Sequence, residues 1–250
     1  MFRKLMWGFF FISIVALGFW MFNYLSYESI EVPDTAIREP RPEPSIAPPP
    51  ETESEPEPEP RTMRPRIAEL REYYDNHDIV GFIEVPGTSI SYPVAQTGNN
   101  EFYLYHNLHW RRDNAGAIFL DYENDLYALA DDNTLIYGHN MRAGTKFHNV
   151  RHFHRAEFFN ANTYILLDTP YEETVWSIFS FFDTHIDFCY LTTNFYDRDE
   201  FFEFILLLQQ MSLHETDIVL HPSDQILILS TCASRGGDYR YVVVARLDRL

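Results

Sequence analysis

The chain has 250 residues, of which 37 are acidic and 19 are Lys or Arg, so its formal net charge at pH 7 is −18. A surface this acidic repels nucleic-acid phosphates and argues against DNA or RNA as a partner. Only two cysteines are present, which is too few for the disulfide framework of a small secreted domain.

The first 30 residues have the composition of a membrane anchor. Arg3 and Lys4 precede an uncharged run from Leu5 to Tyr27 that is rich in Phe, Trp, Leu and Ile, and a helix needs about 20 apolar residues to cross a bilayer. A cleaved signal peptide is the alternative, because Ala-Leu-Gly at 16–18 has the form of a cleavage site, but the apolar run continues past it. We therefore expect a retained single-pass helix with a cytoplasmic N-terminus and the rest of the chain outside.

Residues 31–66 form a second region, which contains eleven of the fifteen prolines and nine acidic residues. Proline removes backbone donors and like charges repel one another, so this stretch cannot build a packed core. We expect an extended, semi-rigid spacer that holds residues 67–250, the predicted folded domain, away from the membrane.

The remaining residues predict a mainly β domain that is entered through a helix. Apolar residues at Ile67, Leu70 and Tyr74 give this helix, 66–77, an amphipathic spacing. A long helix over 200–211, capped by Asp199, precedes the last strands. Eight or nine strands with irregular connections indicate a closed or nearly closed barrel. The predicted strands are 79–85, 90–94, 117–120, 134–137, 163–168, 174–182, 218–221, 225–230 and 241–247.

Three residues at the ends of predicted strands form a candidate catalytic group. Cys232 follows the buried run 227–229, and His139 lies on a turn, at Gly138, directly after another strand. Arg240 opens the last strand, and the short loop before it would bring it beside Cys232. A thiol can attack an amide, an imidazole can protonate the departing amine, and a guanidinium can hold the developing oxyanion.

The cysteines and histidines also have structural interpretations. A lone cysteine in a strand is commonly a buried core residue, and the chain contains ten histidines. We expect Cys189, which lies among aromatic residues, to be buried and not bonded to Cys232. His148, His152 and His154 have spacings seen in metal sites, but no cysteine or close carboxylate cluster completes a ligand set, and the interleaved arginines favour a solvated polar helix or loop. No metal and no cofactor are expected.

Taken together, these motifs resemble those of the sortases, and specifically class B sortases. The cysteine and histidine motifs in this order, followed by the arginine, are highly specific to that family. The predicted helix at 200–211 is similar to the insertion that marks class B. The similar segments are 80–94, 100–104, 116–121, 137–141, 178–180, 229–232 and 240–247.

The resemblance implies an eight-stranded sortase-type barrel and a membrane-anchored cysteine transpeptidase. Such an enzyme cleaves the sorting pentapeptide of a secreted protein after its threonine, forms a thioester, and transfers the acyl group to an amine of a peptidoglycan precursor. The implied catalytic residues are the nucleophile Cys232, the general acid and base His139, and Arg240, which holds the oxyanion or the substrate backbone. The implied groove residues are Asn100, Leu104, Tyr137 and Ser230.

Two alternative functions stay open from the residues alone. A surface cysteine protease would pass through the same thioester and use water as the acceptor. A non-enzymatic, membrane-tethered binding module would keep Cys232 as a structural residue. An acidic residue shortly after the cysteine, which orients the site in some relatives, is absent at Ala233 and Ser234, so a third catalytic residue is not assigned.

Overall fold

The structure is a computed structural model that describes residues 61–234 and 237–248. The predicted anchor and nearly all of the predicted spacer lie outside the described residues. Within the described part of the chain, no helix has the length and apolar character needed to cross a membrane.

Eight strands dominate the described residues, which confirms the mainly β prediction. Helix α1 enters the domain, α2 lies between β4 and β5, and α3 lies between β6 and β7. The strands are β1 Ile79–Glu84, β2 Ser91–Ala95, β3 Ile118–Leu120, β4 Asn133–Tyr137, β5 Tyr164–Asp168, β6 Glu173–His185, β7 Ile226–Cys232 and β8 Tyr239–Leu247. The helices are α1 Pro65–Tyr74, α2 Ala156–Ala161 and α3 Arg198–Gln210, with 3₁₀ segments at Phe102–Leu104 and Phe147–His154.

The strands close into a barrel in the order β1-β2-β3-β4-β7-β8-β6-β5. The β2–β3 and β4–β7 pairs are parallel, and the other six pairs are antiparallel. Closure leaves no open sheet edge. The predicted barrel is therefore confirmed, with eight strands.

Strand β7 is buried on both faces, which makes it a rigid support for the residues at its end. Successive side chains of a strand point to opposite faces. Leu227 and Leu229 belong to one apolar core, whereas Ile226 and Ile228 pack in a second core with Phe201 of α3. Burial on both faces explains why this strand is a continuous apolar run rather than an alternating one.

The predicted strand at 218–221 is wrong, because these residues are irregular. Their carbonyls are bonded by side chains instead of a neighbouring strand: Gln209 Nε2 donates to Ile218 O, and Arg246 Nη1 donates to Val219 O, both at 3.0 Å. Leu220 packs in the core beneath α3. The apolar pattern thus reports burial under a helix, not strand pairing.

The cap of α3 is Asp197 and not the predicted Asp199. The Asp197 side chain accepts hydrogen bonds from the main-chain N–H groups of Asp199 and Glu200. Asp199 lies in the first turn of the helix, where an acidic residue interacts favourably with the helix dipole.

The prediction for Cys189 is also wrong, because this residue is exposed. Its neighbour Tyr190 takes the buried position, with only 2% of its surface exposed, and the cysteine side chain faces away from the core. Cys189 and Cys232 both have free thiols, as expected.

Helix α1 begins at Pro65, two residues before the predicted start of the domain. Arg64 and Arg66 form ion pairs with Asp168, at 3.2 and 2.9 Å, and this carboxylate is only 4% exposed. A buried carboxylate that loses its partners destabilises a fold by several kcal/mol, on the order of 3–5. The last residues of the predicted spacer therefore belong to the folded unit.

Candidate active site

The ends of β4 and β7 bring His139 and Cys232 to the same level of the barrel rim. These strands are parallel neighbours, and their last matched pair is Tyr137 with Ser230. Gly138 N also donates to Ser230 O at 3.3 Å. His139 and Cys232 each lie two residues beyond the matched pair. Since neighbouring strands are about 4.8 Å apart, their proximity follows from the register.

Gly138 is required at the end of β4 by close packing. A Cβ atom at this position would lie 2.3 Å from Ile118 Cδ1 and 2.9 Å from Phe147 Cδ2. We predicted a glycine that permits a turn, but the residue does not have a positive φ angle. Its function is to let β3 and the 3₁₀ segment Phe147–His154 approach the main chain just before His139.

The His139 imidazole is anchored to the main chain. Its Nε2 lies 2.8 Å from Leu104 O, at the end of the 3₁₀ segment Phe102–Leu104. A carbonyl oxygen only accepts hydrogen bonds, so Nε2 carries a proton and donates it. Nδ1 is then the nitrogen at which the ring can exchange a proton with a reacting group.

Arg240 lies directly opposite Cys232 in the antiparallel β7–β8 pair. Its Nη1 donates to Gly237 O at 2.5 Å and to Tyr239 O at 3.0 Å. These bonds fix the guanidinium to the loop that joins the two strands. A positive charge is therefore held on the strand next to the thiol.

The seven residues predicted for the site surround one cleft of about 270 Å³. The structure thus brings together the three predicted catalytic residues and the four predicted groove residues. The lining residues are Asn100, Leu104, Phe119, Tyr137, Gly138, His139, Tyr190, Leu191, Ser230, Thr231, Cys232 and Arg240.

Tyr190 and Leu191 line the cleft but were not predicted from the sequence. Tyr190 OH and Ser230 Oγ lie 2.8 Å apart in a buried hydrogen bond. Burial raises the pKa of Tyr190, so the phenol stays neutral at physiological pH. Both residues belong to an irregular segment after β6, and no periodic pattern in that segment distinguishes them from other aromatic and apolar residues.

Asp121 supports the cleft from behind, and its function was also missed. Its Oδ2 accepts hydrogen bonds from Asn100 Nδ2 at 2.8 Å and from Tyr137 OH at 2.7 Å. Its Oδ1 accepts from Glu123 N at 3.0 Å. Burial and the Asp121 carboxylate raise the pKa of Tyr137, so Tyr137 remains a donor. An acidic residue directly after the buried strand β3 was the signal that could have indicated this network.

Comparisons with known proteins agree with this geometry. The Sortase domain family matches residues 83–248. Sortase B of Listeria monocytogenes is 34% identical over 170 residues, 68% of each chain. Sortase B of Staphylococcus aureus is 32% identical over 192 residues, which cover 75% of this chain and 77% of the relative. The X-ray structure of Clostridium perfringens sortase B is 34% identical and has a TM-score of 0.68, covering 73% of this chain and 99% of that chain.

The chain therefore belongs to the sortase family. The curated relatives place it in class B, and the protein is a cysteine transpeptidase.

We predict that Asp121→Asn lowers the free energy of unfolding by about 2 kcal/mol, since a hydrogen bond to a charged group contributes about 1.5–3 kcal/mol. Whichever way the new amide turns, its NH₂ group faces another donor, either Glu123 N or Asn100 Nδ2. Thermal unfolding should show a Tm lowered by roughly 4–8 °C for a domain of this size.

Asp125→Asn is the matched control for this variant. Asp125 is exposed, and its Oδ1 accepts from Tyr127 N at 2.8 Å, a bond that the asparagine oxygen retains. Its Tm should stay near that of the parent. An Asp121→Asn variant as stable as the Asp125→Asn variant would show that Asp121 does not support the cleft.

Proposed function

We propose that the protein is a membrane-anchored sortase that attaches secreted proteins to the cell wall. It cleaves a C-terminal sorting signal after threonine through a Cys232 thioester, and it transfers the protein to an amine of a peptidoglycan precursor. The observation that carries the proposal is the register of β4 and β7, which sets His139 beside Cys232, with Arg240 opposite the cysteine.

In the first half of the reaction, Cys232 Sγ attacks the carbonyl carbon of the threonine. As the sulfur attacks, the thiol proton passes to His139 Nδ1, the C–N bond of the scissile amide breaks, and His139 gives that proton to the departing amine. The acyl group is now held on sulfur as a thioester. Anchoring of Nε2 by Leu104 O assigns this proton transfer to Nδ1.

In the second half, the acceptor amine attacks the thioester carbonyl and His139 takes up the amine proton. The C–S bond breaks, a new amide forms, and His139 returns the proton to Cys232 Sγ, which restores the thiol. The proton count therefore balances over the two halves.

Arg240 stabilises the oxyanion that forms in both halves. Its Nη1 is bonded to the carbonyls of Gly237 and Tyr239, and we assign Nε and Nη2 to the substrate oxygen. A donor that is fixed before the reaction does not have to reorganise as charge develops, which is why such donors contribute strongly to catalysis.

Asn100, Leu104, Tyr137 and Ser230 form the groove for the sorting peptide. Tyr137 and Asn100 are held by Asp121, and Ser230 is held by Tyr190. Their polar atoms are therefore fixed before a peptide binds, which reduces the entropy lost on binding.

We predict that Cys232→Ala lowers peptide cleavage by at least about 10⁴-fold, because removing a nucleophile eliminates the covalent pathway. The test uses a panel of candidate sorting pentapeptides that contain threonine, with and without an amine acceptor. Intact-mass measurement of the parent should show the acyl-enzyme on Cys232, and product mass spectra should show the transfer product when the amine is present.

Cys189→Ala is the matched control, since Cys189 is the other free thiol and is exposed. It should retain the activity of the parent. Cleavage by the Cys232→Ala variant at the parent rate would contradict the thioester mechanism. Hydrolysis that no amine acceptor diverts would instead support a cysteine protease.

We predict that Arg240→Lys lowers turnover by about 10²–10³-fold, the usual cost of one oxyanion donor. The ammonium keeps the charge but lacks the planar set of donors that can hold the loop carbonyls and the oxyanion together. Steady-state kinetics should show the loss mainly in kcat. Arg246→Lys is the control on the same strand, because Arg246 bonds Val219 O and Asp248 instead of lining the cleft. A lysine variant within a few-fold of the parent would make Arg240 a structural residue only.

We also propose that residues 5–27 are the membrane anchor, with a cytoplasmic N-terminus, and that residues 31–60 are the spacer. The uncharged run and the preceding Arg3 and Lys4 support this topology. The spacer would let the cleft reach both the sorting signal and a lipid-linked wall precursor at the outer face of the membrane.

The full chain should therefore fractionate with membranes, whereas a chain that starts at Arg61 should be soluble and should still cleave peptide. The truncated chain starts at residue 61 so that it retains Arg64 and Arg66, which form ion pairs with Asp168. N-terminal sequencing of the membrane-extracted protein checks the same point. A mature N-terminus at Phe19 would contradict the retained anchor.

A further inference from the structure

The Asn140 side chain connects the segment that carries His139 to the strand that carries Cys232. Its Nδ2 donates to the main-chain O of Cys232 at 2.9 Å. Its Oδ1 lies 3.1 Å from His148 Nδ1, and because an amide oxygen only accepts, the imidazole donates. Both ends of the amide are occupied, so its orientation is defined.

The bond to Cys232 continues the parallel ladder beyond the end of β4. Hydrogen bonds in a parallel pair are evenly spaced and recur every two residues. Gly138 N donates to Ser230 O, so the next bond in this direction would run from Asn140 N to Cys232 O. The chain has turned away by then, since Asn140 pairs with Lys146 instead. The side-chain amide of Asn140 replaces the missing main-chain donor.

The hydrogen bond from Asn140 to Cys232 O lies next to both proposed catalytic residues and therefore affects the distance between them. Asn140 directly follows His139, and the atom it holds is the carbonyl of Cys232 itself. The ring of His139 is fixed separately by its hydrogen bond to Leu104 O. The main chain directly after Cys232 is held by Ala233 N, which donates to Tyr239 O at 2.8 Å. Asn140 supplies the direct link between the two sides.

We propose that Asn140 is a positioning residue that holds the Cys232 thiol and the His139 imidazole in register, and that His148 orients its amide. Asn140 is not among the residues that line the described cleft, so it acts through the catalytic pair and not on the substrate. The functional consequence rests on the proposed function, in which this pair transfers a proton during acylation.

The test measures alkylation of Cys232 by iodoacetamide, which needs no sorting peptide. Rates are measured between about pH 5 and pH 10, the range in which imidazole and thiol ordinarily titrate. All variants carry Cys189→Ser, because Cys189 is an exposed thiol that would also react. The series comprises the parent, His139→Ala, Asn140→Ala, Asn140→Leu and His148→Ala.

We expect the Asn140→Ala profile to move from that of the parent toward that of His139→Ala. A displacement of about half a pH unit is expected, which changes the rate at a fixed pH about threefold. His148→Ala should shift the profile in the same direction by less, since the amide remains but is free to turn. Asn140→Leu fills a similar volume without polar atoms. It tests the same hydrogen bond if Asn140→Ala is not folded at the assay temperature.

Asn149→Ala is the matched control, because Asn149 lies on the same 3₁₀ segment as His148 but bonds Ser89 Oγ, at 2.8 Å. Its profile should superimpose on that of the parent. An Asn140 variant that is folded and superimposes on the parent would overturn the proposal. A His139→Ala profile identical to that of the parent would also overturn it, since no thiol–imidazole coupling would exist for Asn140 to maintain.

Peptide cleavage gives a second readout that separates this proposal from the proposed function. With an active sorting peptide, Asn140→Ala should lower kcat about tenfold or more, because the catalytic pair loses its alignment, and KM should stay within about twofold of the parent. A tenfold loss corresponds to a rise of about 1.36 kcal/mol in the activation free energy. A raised KM with an unchanged kcat would overturn the proposal. If the parent cleaves no peptide, the proposed function fails, and the alkylation profiles still decide whether Asn140 positions the pair.

Discussion

The parallel pairing of β4 with β7 is the constraint on which the rest of the site depends. The two strands are separated by about ninety residues in sequence, yet they run side by side with Tyr137 matched to Ser230. A slip of one residue would turn each side chain of a strand to the opposite face. It would move Cys232 away from His139, and it would also exchange the side chains that β7 contributes to the two apolar cores on either side of it. The packing that stabilises the barrel therefore also specifies the register of His139 and Cys232.

The proposed catalytic residues His139 and Cys232 lie where this ladder ends, and local contacts replace the missing main-chain bonds. Gly138 allows two neighbouring elements to approach closely. Asn140 supplies a side-chain donor to Cys232 O, and Leu104 O accepts from His139. Strand ends are free of the ladder and can present side chains to a substrate, but they need such supports to hold a defined geometry.

The sequence predicts the strands well because they leave local patterns, and the residues predicted for the site line one cleft. Eight of the nine predicted strands pair in the barrel. The cysteine and histidine motifs lie at the ends of two of them. The false strand at 218–221 has the same apolar pattern, because packing beneath α3 also buries alternate residues. Local pattern reports burial and does not report which element covers a residue.

The supporting residues could not be predicted in the same way. The network of Asp121 depends on the β3–β4 pairing and on the bend that contains Asn100. The hydrogen bond between Tyr190 and Ser230 joins an irregular segment to β7. Each is a relation between distant residues, so neither residue type nor local spacing reveals it. The pairing of β4 with β7 is likewise a long-range contact. The position of His139 and Cys232 at strand ends and their complementary chemistry suggested that they act together, and the resemblance of their motifs supported this, but neither gives the strand pairing itself.

The polar groups of the cleft are fixed in pairs, and this bears on how the site can act on a peptide. Asp121 holds Tyr137, which burial keeps protonated, and Tyr190 holds Ser230. A buried polar group without a partner would destabilise the fold by about 1–3 kcal/mol. Each hydrogen-bonded pair avoids this penalty in the buried wall of the cleft. In the proposed reaction, a substrate would meet a site in which the donors and the imidazole already have defined positions, which is the condition for strong electrostatic stabilisation of a transition state.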